Sequence, residues 1–343
     1  MSRNLWMIAT IVAFSLIAAA CGSTGDDKTT ATAAGAETGG LSGSITVSGS
    51  STVEPISARV GEDFHNANPG VAVSVEGPGT GDGFKKFCGG ETDISDASRQ
   101  IKDSEAEACA AAGIEWIELV VAWDGISVLT SPENDVHACL TFNDLYALTG
   151  PESTGFGKWS DASSLANGLG NTTADAYIDE DLSITAPGEE SGTYDTFASL
   201  AIEPGSKARD TDDVMRPDYT ASANDNVIIE GIAGSTYSLG YVGYSFYANN
   251  TDKVKALEVN DGESGCVAPS EETIKSGAYP LSRLLYIYVN AAKVDENPAL
   301  GPFIDYYLSD DGLANVTKAN YIELADYQPT LDAWANKVAS PQG

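Results

Sequence analysis

The chain alternates between two patterns of hydrophobic and polar residues. Short apolar or alternating runs, which are typical of β-strands, occupy residues 44–48, 71–75, 115–121, 125–130, 183–186, 239–244, 255–259 and 284–290. Between these runs, apolar residues recur every three or four positions over residues 55–66 and 299–320, which predicts amphipathic helices. Because strands and helices alternate, the sequence predicts an α/β fold.

The first 43 residues lack this alternation. Arg3 precedes a largely apolar run over residues 5–20, and small residues lead into Cys21, as in a bacterial lipoprotein signal peptide followed by its lipidated cysteine. The apolar run is shorter than the ~20 residues that a membrane-spanning helix needs. Glycine, serine, threonine and alanine dominate residues 21–43. We therefore expect a signal peptide over residues 1–20 and a flexible, lipid-anchored tether over residues 21–43, which holds the folded part in the periplasm or at the outer face of the cell membrane.

Composition narrows the range of functions. The 50 acidic and 18 basic residues among 343 give a formal net charge of −32 at pH 7. Such a charge repels polyanions and argues against a nucleic-acid partner. The chain contains only two histidines, His65 and His137, which disfavours histidine-based catalysis and a histidine-rich metal site. We expect no cofactor and no metal, and the length predicts about two domains.

The cysteines fit an exported protein. Cys21 apart, four cysteines remain, and an even number in an exported chain predicts disulfides. Three pairings are possible, of which we favour Cys88 with Cys109, which closes a short loop, and Cys139 with Cys266, which joins distant segments. A zinc site is the alternative, but the chain has no Cys-x-x-Cys spacing.

Three loops rich in glycine, serine and threonine each follow a predicted strand and precede a predicted helix. They cover residues 49–52, 77–83 and 189–193. The first amides of a helix have no partner within the helix and carry partial positive charge, so that such a terminus favours an anion. Each loop alone also fits an ordinary helix N-cap. Three such loops together predict a binding site for an oxyanion.

Arg99 is a candidate cation for this site, because it is one of five arginines that follow the signal peptide. Its forked guanidinium suits a tetrahedral oxyanion, although it also suits a surface carboxylate. The loop over residues 77–83 lacks the Gly-Lys-Ser/Thr ending and the glycine spacing of nucleotide-binding loops. Residues 191–193 lack the Gly-x-Ser-x-Gly arrangement of a serine nucleophile. These patterns favour a binding protein over an enzyme.

Several of these motifs resemble the periplasmic phosphate-binding protein (PstS) family of ABC transporters, and its SphX-like branch in particular. The resemblance covers about residues 44–327 and rests on these segments: Gly49-Ser-Ser-Thr-Val-Glu-Pro, Gly79-Thr-Gly, Asp93-Ile with Ala97-Ser-Arg, Val121-Ala-Trp-Asp-Gly, Ser191-Gly-Thr, Leu239-Gly-Tyr-Val-Gly-Tyr and Tyr279-Pro-Leu-Ser-Arg. It implies a type 2 periplasmic-binding-protein fold, in which two α/β lobes joined by two crossing hinge strands close on phosphate. The protein would then deliver phosphate to the permease subunits, and we expect a monomer.

The resemblance also assigns the lobes and the site. Residues 44–123 and 284–343 would form lobe 1, residues 124–283 would form lobe 2, and the strands at 125–130 and 284–290 would lie at the hinge. The implied phosphate-binding residues are Ser51, Thr52, Val53, Thr80, Arg99, Ser191, Gly192 and Thr193.

One departure from the family pattern concerns charge. Some members have a carboxylate where Arg99 stands and an arginine shortly before the Ser-Gly-Thr loop, where this chain has Pro187-Gly188. Hydrogen phosphate carries a proton that sulfate lacks, so that a buried carboxylate would admit phosphate and repel sulfate. Asp124 is our first candidate for this acceptor, followed by Glu190 and Asp82. Asp124 fits equally well a hinge residue that accepts backbone N–H bonds.

The sequence thus predicts an extracytoplasmic protein that binds inorganic phosphate with high affinity and delivers it to an ABC permease. Binding of another tetrahedral oxyanion such as sulfate is one alternative. A phosphate-ester hydrolase is the other, and it would require a nucleophile and a metal cluster that the sequence does not offer.

Overall fold

The structure is a computed structural model that describes residues 40–171, 177–189 and 191–338. The predicted signal peptide, Cys21, most of the predicted tether and Glu190 lie outside the described residues. Within the described part, the helices are too short or too polar to cross a bilayer.

Strands and helices alternate through most of the chain, as predicted. The strands are β1 Gly43–Gly49, β2 Val71–Glu76, β3 Ile94–Ala97, β4 Trp116–Thr130, β5 Cys139–Thr141, β6 Ser183–Ala186, β7 Thr220–Ala221, β8 Ser238–Gly243, β9 Lys255–Ala256, β10 Glu258–Asn260 and β11 Ser282–Asn290. The helices are α1 Glu54–Ala67, α2 Thr80–Cys88, α3 Asp103–Ala111, α4 Phe142–Thr149, α5 Ser163–Gly168, α6 Gly192–Phe197, α7 Glu203–Arg209, α8 Asp225–Ala233, α9 Tyr244–Ala248, α10 Glu271–Lys275, α11 Ala291–Glu296, α12 Leu300–Tyr307, α13 Asp310–Lys318 and α14 Gln328–Asn336. Short 3-10 turns at Pro151–Ser153 and Trp159–Ala162 and a π-helical segment at Ala198–Ile202 complete the set.

The main sheet is mixed, with the strand order β2-β1-β3-β11-β4-β8-β6-β7. β1 runs parallel to β2 and β3, and β6 runs parallel to β7 and β8. β11 is antiparallel to β3 and β4, and β4 is antiparallel to β8 and β9. We call the part that contains β1, β2 and β3 the first half and the part that contains β6, β7 and β8 the second half.

Two long strands connect the halves. β4 pairs with β11 from Trp116 to Gly125 and with β8 from Ile126 to Leu129, so that it passes from the first half into the second. β11 brings the chain back. The prediction of separate strands at 115–121 and 125–130 is therefore wrong: antiparallel partners continue past residues 122–124, which keeps the backbone extended there.

Each half has its own hydrophobic core. In the first half, α1 packs its apolar face, Ile56, Val60 and Phe64, into a cluster with Phe303 of α12. In the second half, Phe197 of α6 lies in a separate cluster. The helices that lead away from the first and third candidate loops are thus anchored by apolar packing, which fixes the positions of their N-termini.

Two other predicted elements need correction, and the strand β3 was missed. The run at 255–259 is divided, because β9 pairs with β4 whereas β10 pairs with β5 in a separate two-stranded sheet. The helix predicted at 299–320 is two helices, because the Ser309 hydroxyl accepts a hydrogen bond from the Gly312 amide and begins α13. β3 was not predicted, since its four residues include Ser95 and Asp96, yet it lies between β1 and β11.

Both favoured cysteine pairs are disulfide-bonded in the structure. Cys88 and Cys109 join the ends of α2 and α3 across 21 residues of sequence. Cys139 and Cys266 join β5 to the segment after β10 across 127 residues.

Candidate functional site

The loop between β1 and α1 is organised by Ser50. Its carbonyl accepts hydrogen bonds from the amides of Val53 at 3.1 Å and Glu54 at 2.9 Å. Its hydroxyl accepts one from the Thr52 amide at 3.1 Å. The Ser50 amide donates to the Asp96 carbonyl at 2.9 Å, which attaches the loop to β3. The amides of Thr52 and Val53 are therefore bonded within the loop in this structure.

The N-terminus of α6 faces this loop from the second half. Ser191 caps α6, because its hydroxyl accepts a hydrogen bond from the Thr193 amide at 3.2 Å. The Thr52 hydroxyl donates across the cleft to the Gly192 carbonyl at 3.1 Å. A Cβ atom on Gly192 would lie 2.7 Å from the Thr52 Cα atom, so that only glycine permits this approach. Two of the predicted loops thus meet in space.

The second loop lies beside the first. The Gly79 amide donates to the Gly49 carbonyl at 2.8 Å, and Gly79 has a φ of 106°, a conformation that favours glycine. Thr80 then begins α2, and its hydroxyl accepts a hydrogen bond from the Ser98 amide at 3.2 Å. This arrangement places the N-termini of α1 and α2 next to each other in the first half.

Arg283, at the second position of β11, links the two halves. Its Nη1 donates to the Ser199 hydroxyl at 3.1 Å, and its Nη2 donates to the Thr52 hydroxyl at 3.1 Å and to the Thr196 hydroxyl. Its Nε lies 3.7 Å from Asp124 Oδ2. The side chain is only 12% exposed. Sequence reasoning missed this residue as a site candidate, although it is one of the few arginines and adjoins a predicted hinge strand.

Asp124 is the carboxylate next to this guanidinium. It is buried on β4, in register with Arg283 of β11, and accepts a hydrogen bond from the Thr196 hydroxyl at 2.8 Å. Burial raises the pKa of Asp124, while the charge of Arg283 and the Thr196 hydrogen bond oppose this shift. In this structure Asp124 is thus a counter-ion of Arg283.

A second buried carboxylate, Asp96, lies beneath the first turn of α1. Its Oδ1 accepts a hydrogen bond from the Ser57 hydroxyl at 2.9 Å, whereas its Oδ2 is buried without a hydrogen-bond partner among the described residues. Burial raises the pKa of Asp96 to about 7, although the Ser57 hydrogen bond opposes the shift. Asp96 can therefore gain or lose a proton near neutral pH. Its position within a β-strand gave no sign of this during sequence analysis.

Arg99 forms a forked ion pair. Its two terminal nitrogens donate to both carboxylate oxygens of Glu105, at 2.8 and 2.7 Å. Partial burial, the largest single influence, favours the protonated form of Glu105, but the hydrogen bonds from Arg99 and the Lys102 amide and the charges of these two residues together hold the pKa of the carboxyl below its usual value. Arg99 thus has the carboxylate partner that the sequence left open as an alternative.

A cavity of about 580 Å³ lies between the two halves. Its charged lining consists of Arg99, Lys102, Asp195, Glu203, Lys207 and Arg283. Serine and threonine side chains in the lining are Ser50, Ser51, Thr80, Ser98 and Ser199. The Ser51 hydroxyl donates to the Asp195 carboxylate across this cavity. Asp195 was not predicted, although it follows Ser191 by four residues, a spacing that places two helical residues on one face.

The structure brings some of the predicted residues together and leaves others aside. Ser51, Thr80 and Arg99 line the cavity. Thr52 does not line it, but its hydroxyl accepts a hydrogen bond from Arg283, which does. By contrast, Asp82 is exposed and pairs with Lys85 at 2.7 Å. The cavity can therefore offer an anion hydroxyl donors and guanidinium groups from both sides.

Comparison with known proteins gives a consistent result. A family model described as a PBP superfamily domain matches residues 29–311. Protein SphX of Synechocystis is 38% identical over 284 residues, which cover 82% of this chain and 79% of the relative. The phosphate-binding protein PstS of Staphylococcus saprophyticus is 32% identical over 304 residues, which cover 88% of this chain and 85% of the relative. The crystal structure of a possible phosphate binding protein from Planctomyces limnophilus is similar to 86% of this chain over 99% of its own length, with a TM-score of 0.76 and 36% identity.

Proposed function

This chain belongs to the PBP superfamily and, within it, to the SphX and PstS phosphate-binding proteins, and on that basis we propose that it binds inorganic phosphate for import through an ABC permease. The resemblance noted in the sequence motifs is confirmed by these relatives, as is the type 2 periplasmic-binding-protein fold by the match to residues 29–311.

The distribution of charge carries the proposal. The whole chain has a net charge of −32, yet the lining of one cavity contains four cationic side chains and only two carboxylates. Glu105 and Asp124, outside the lining, pair with two of these cations, so that the cavity is rich in cationic donors rather than in net positive charge. These donors occur where the N-termini of α1 and α2 meet hydroxyl groups of the opposite half. Helix N-termini, hydroxyls and guanidinium groups together are the donors that an oxyanion requires.

We infer that Arg283 makes the main charge-assisted contact with the anion. Its Nε is buried without a hydrogen-bond partner among the described residues, and its other nitrogens contact hydroxyl groups that can rotate toward a ligand. The predicted set of Ser51, Thr52 and Thr80 would add donors from the first half. Residues 191–193 would add donors from the N-terminus of α6. In this proposal Arg99 does not contact the anion directly, because both terminal nitrogens of its guanidinium already donate hydrogen bonds to Glu105.

A carboxylate would distinguish phosphate from sulfate. Asp124, the predicted acceptor, is engaged by Thr196 and Arg283, whereas Asp96 has one buried oxygen that lacks a partner in the described part of the chain. Asp96, however, is fully buried and does not belong to the cavity lining, so we propose that Asp124, which adjoins Arg283 of that lining, both orients Arg283 and accepts the proton of hydrogen phosphate. A fully deprotonated anion such as sulfate would meet repulsion there.

The remaining properties follow from family membership. We propose that residues 44–123 with 284–343 and residues 124–283 act as two lobes that close on phosphate, with β4 and β11 as the hinge. The protein would act as a monomer outside the cytoplasm, held to the membrane through lipid on Cys21. Its staphylococcal relatives are named phosphate-binding proteins, and we propose a binding role without catalysis.

Calorimetric titration of the purified mature protein with phosphate, sulfate and molybdate tests the proposal. We expect tight binding of phosphate alone. Arg283→Gln should raise the Kd for phosphate by roughly tenfold to a hundredfold, since hydrogen bonds to charged groups contribute about 1.5–3 kcal/mol. The matched control is Arg209→Gln, because Arg209 forms a forked pair with Glu152 outside the cavity and should not affect binding.

Arg283→Gln leaves Asp124 buried without its cation, so that urea unfolding must accompany the titration. Arg283→Lys keeps the positive charge but cannot donate the two parallel hydrogen bonds of a guanidinium. This variant should remain folded and bind phosphate more weakly than the wild type. Binding of sulfate but not phosphate would overturn the proposed ligand. Release of product from a chromogenic phosphate ester would favour the hydrolase instead.

A further inference from the structure

The cationic side chains of the cavity differ greatly in their exposure to solvent. Arg283 is 12% exposed and Arg99 is 32% exposed, whereas Lys207 is 70% exposed and Lys102 is also exposed. Arg283 lies 3.7 Å from the Asp124 carboxylate, which offsets its charge, so that it can hold an anion mainly at contact. An exposed ammonium, by contrast, is accessible to an anion that is still in solvent, although salt screens its charge.

The two lysines approach the cavity from opposite sides. Lys102 immediately precedes α3 in the first half, and Lys207 lies in α7, in the second half. Both belong to the lining of the same cavity. Both ammonium groups are exposed whereas Arg283 is buried, so that an anion in solvent can meet them, together with the carboxylates Asp195 and Glu203 of the same lining, before it contacts Arg283.

This placement matters because the rest of the molecule repels anions. A net charge of −32 disfavours the approach of phosphate to most of the surface. At physiological ionic strength charges are screened beyond about 8 Å, so that an anion near the cavity responds mainly to the charges that line it. Charges of one sign at a cleft accelerate association, and their contribution falls as salt is added.

We propose that Lys102 and Lys207 are capture residues, which draw the anion into the cleft and accelerate its association without being the contacts that retain it. The inference rests on the proposed phosphate binding and adds a kinetic role to it. We expect Lys102 to contribute more than Lys207, because Lys207 forms an ion pair with Glu203, whereas the carboxylate near Lys102, Glu105, is held by the guanidinium of Arg99. Arg283 and the hydroxyl groups then determine how slowly the anion leaves.

Stopped-flow tryptophan fluorescence with inorganic phosphate separates the two roles. At an ionic strength of about 0.01 M, where the Debye length is about 30 Å, we expect Lys102→Gln with Lys207→Gln to lower the association rate constant about threefold or more. The dissociation rate constant should stay within about twofold of the wild type, because the retaining contacts are intact. At about 1 M salt the association rates of variant and wild type should converge.

Two control variants make the test specific. Lys158→Gln with Lys253→Gln removes the same net charge from surface pairs with Asp179 and Glu230, outside the cavity, and should leave the association rate unchanged. Lys102→Arg with Lys207→Arg keeps both charges and should retain the wild-type rate.

Three results would overturn the capture role. The first is an equal loss of association rate in the Lys158 and Lys253 control, which would make net charge alone responsible. The second is an effect confined to dissociation, which would make the lysines retaining contacts. The third is an unchanged association rate in a protein that binds phosphate normally. A wild-type protein that does not bind phosphate would instead overturn the proposed function, and this inference with it.

Discussion

Arg283 is buried and forms hydrogen bonds with residues of both halves of the molecule. Its guanidinium contacts Thr52 from the first half and Thr196 and Ser199 from the second, with Asp124 as its nearby carboxylate. Withdrawal of a guanidinium from water is costly, and a single carboxylate at 3.7 Å offsets only part of that cost. A bound anion would offset more of this desolvation cost, so that the environment of Arg283 favours the binding of an anion.

Asp96 provides a prediction about pH. Its pKa is raised from 3.8 to about 7 by burial, so that the folded protein binds a proton more tightly than the unfolded chain. The stabilisation from this proton is complete below pH 3.8 and is lost as the pH rises through about 7. Asp96→Asn keeps an oxygen acceptor for Ser57 but does not ionise. The variant should therefore gain stability over the wild type as the pH rises from 4 to 8, by up to about 4 kcal/mol.

Urea unfolding of both proteins at several pH values measures this difference. Because the other carboxyl groups titrate in both proteins, only the difference between variant and wild type reports on Asp96. A constant difference across this range would contradict the assignment of a raised pKa to Asp96.

The sequence could predict the polar loops of the site but not its central charge. Loops at 49–52 and 189–193 stand out because glycine and hydroxyl residues cluster before a helix. Asp124 was predicted as a candidate acceptor carboxylate, but Arg283 has no such local signature, because it is a single charged residue beside an apolar run. Their pairing depends on the antiparallel register of β4 and β11, which joins residues 159 positions apart. Arg99 was predicted as the cation because it is one of five arginines that follow the signal peptide, but in the structure its guanidinium forms an ion pair with Glu105.

At the scale of elements, three helix N-termini determine the shape of the site. α1 and α2 stand side by side in the first half because Gly83 of α2 lies close to Gly49, where a Cβ atom would come within 2.4 Å of the Gly49 Cα atom. α6 faces them from the second half through the contact of Gly192 with Thr52. The site therefore depends on close backbone approaches that only glycine allows.

Gly192→Ala should force α1 and α6 apart, since its Cβ atom would lie 2.7 Å from Thr52 Cα and 2.8 Å from its nitrogen. We expect phosphate affinity to fall by roughly tenfold or more, which corresponds to about 1.4 kcal/mol. The stability of the protein should change little, because each half keeps its own core. Calorimetry and urea unfolding measure the two effects.

Gly168→Ala is the matched control, because a Cβ atom at that position meets no atom within 4 Å. It should leave phosphate affinity unchanged. Normal affinity in Gly192→Ala would show that the two N-termini do not act on one ligand.

Most strands and the two long helical regions were predictable from periodicity, and the reasons for the failures are specific. The strand predictions at 183–186 and 239–244 are confirmed to within one residue, since their apolar residues are buried in regular sheet positions. β3 escaped prediction because a four-residue strand with two polar residues has no hydrophobic pattern. β4 was divided in the prediction because residues 123–125 look like a turn, whereas pairing with β11 keeps them extended.

At the scale of the whole molecule, the halves are joined by two paired strands at one side and by a few side-chain hydrogen bonds across the cleft. β4 and β11 form a continuous antiparallel pair from Trp116–Asn290 to Gly125–Ser282. Across the cleft, by contrast, the contacts are hydrogen bonds such as those of Ser51 with Asp195 and Thr52 with Gly192. Such an arrangement allows the halves to rotate about the paired strands without loss of either core.

The weakness of the contacts across the cleft leads to a prediction about closure. Each net hydrogen bond contributes only about 0.5–1.5 kcal/mol, and in an open form water would replace it. The open and closed forms should therefore differ by only a few kcal/mol, so that a bound anion can shift their populations substantially. We expect small-angle X-ray scattering of the mature protein to give a smaller radius of gyration with saturating phosphate than without it.

Ser51→Ala sharpens this experiment, because it removes the hydrogen bond to Asp195 without adding charge or bulk. Loss of one contact that exists only in the closed form should raise the open fraction of the ligand-free variant and enlarge the change in radius of gyration on binding. Scattering that is identical with and without phosphate, in samples that calorimetry shows to be saturated, would contradict closure. The anion would then enter a cleft that is already closed, and the contacts between Arg283 and the hydroxyls on both sides would have to open locally to admit it.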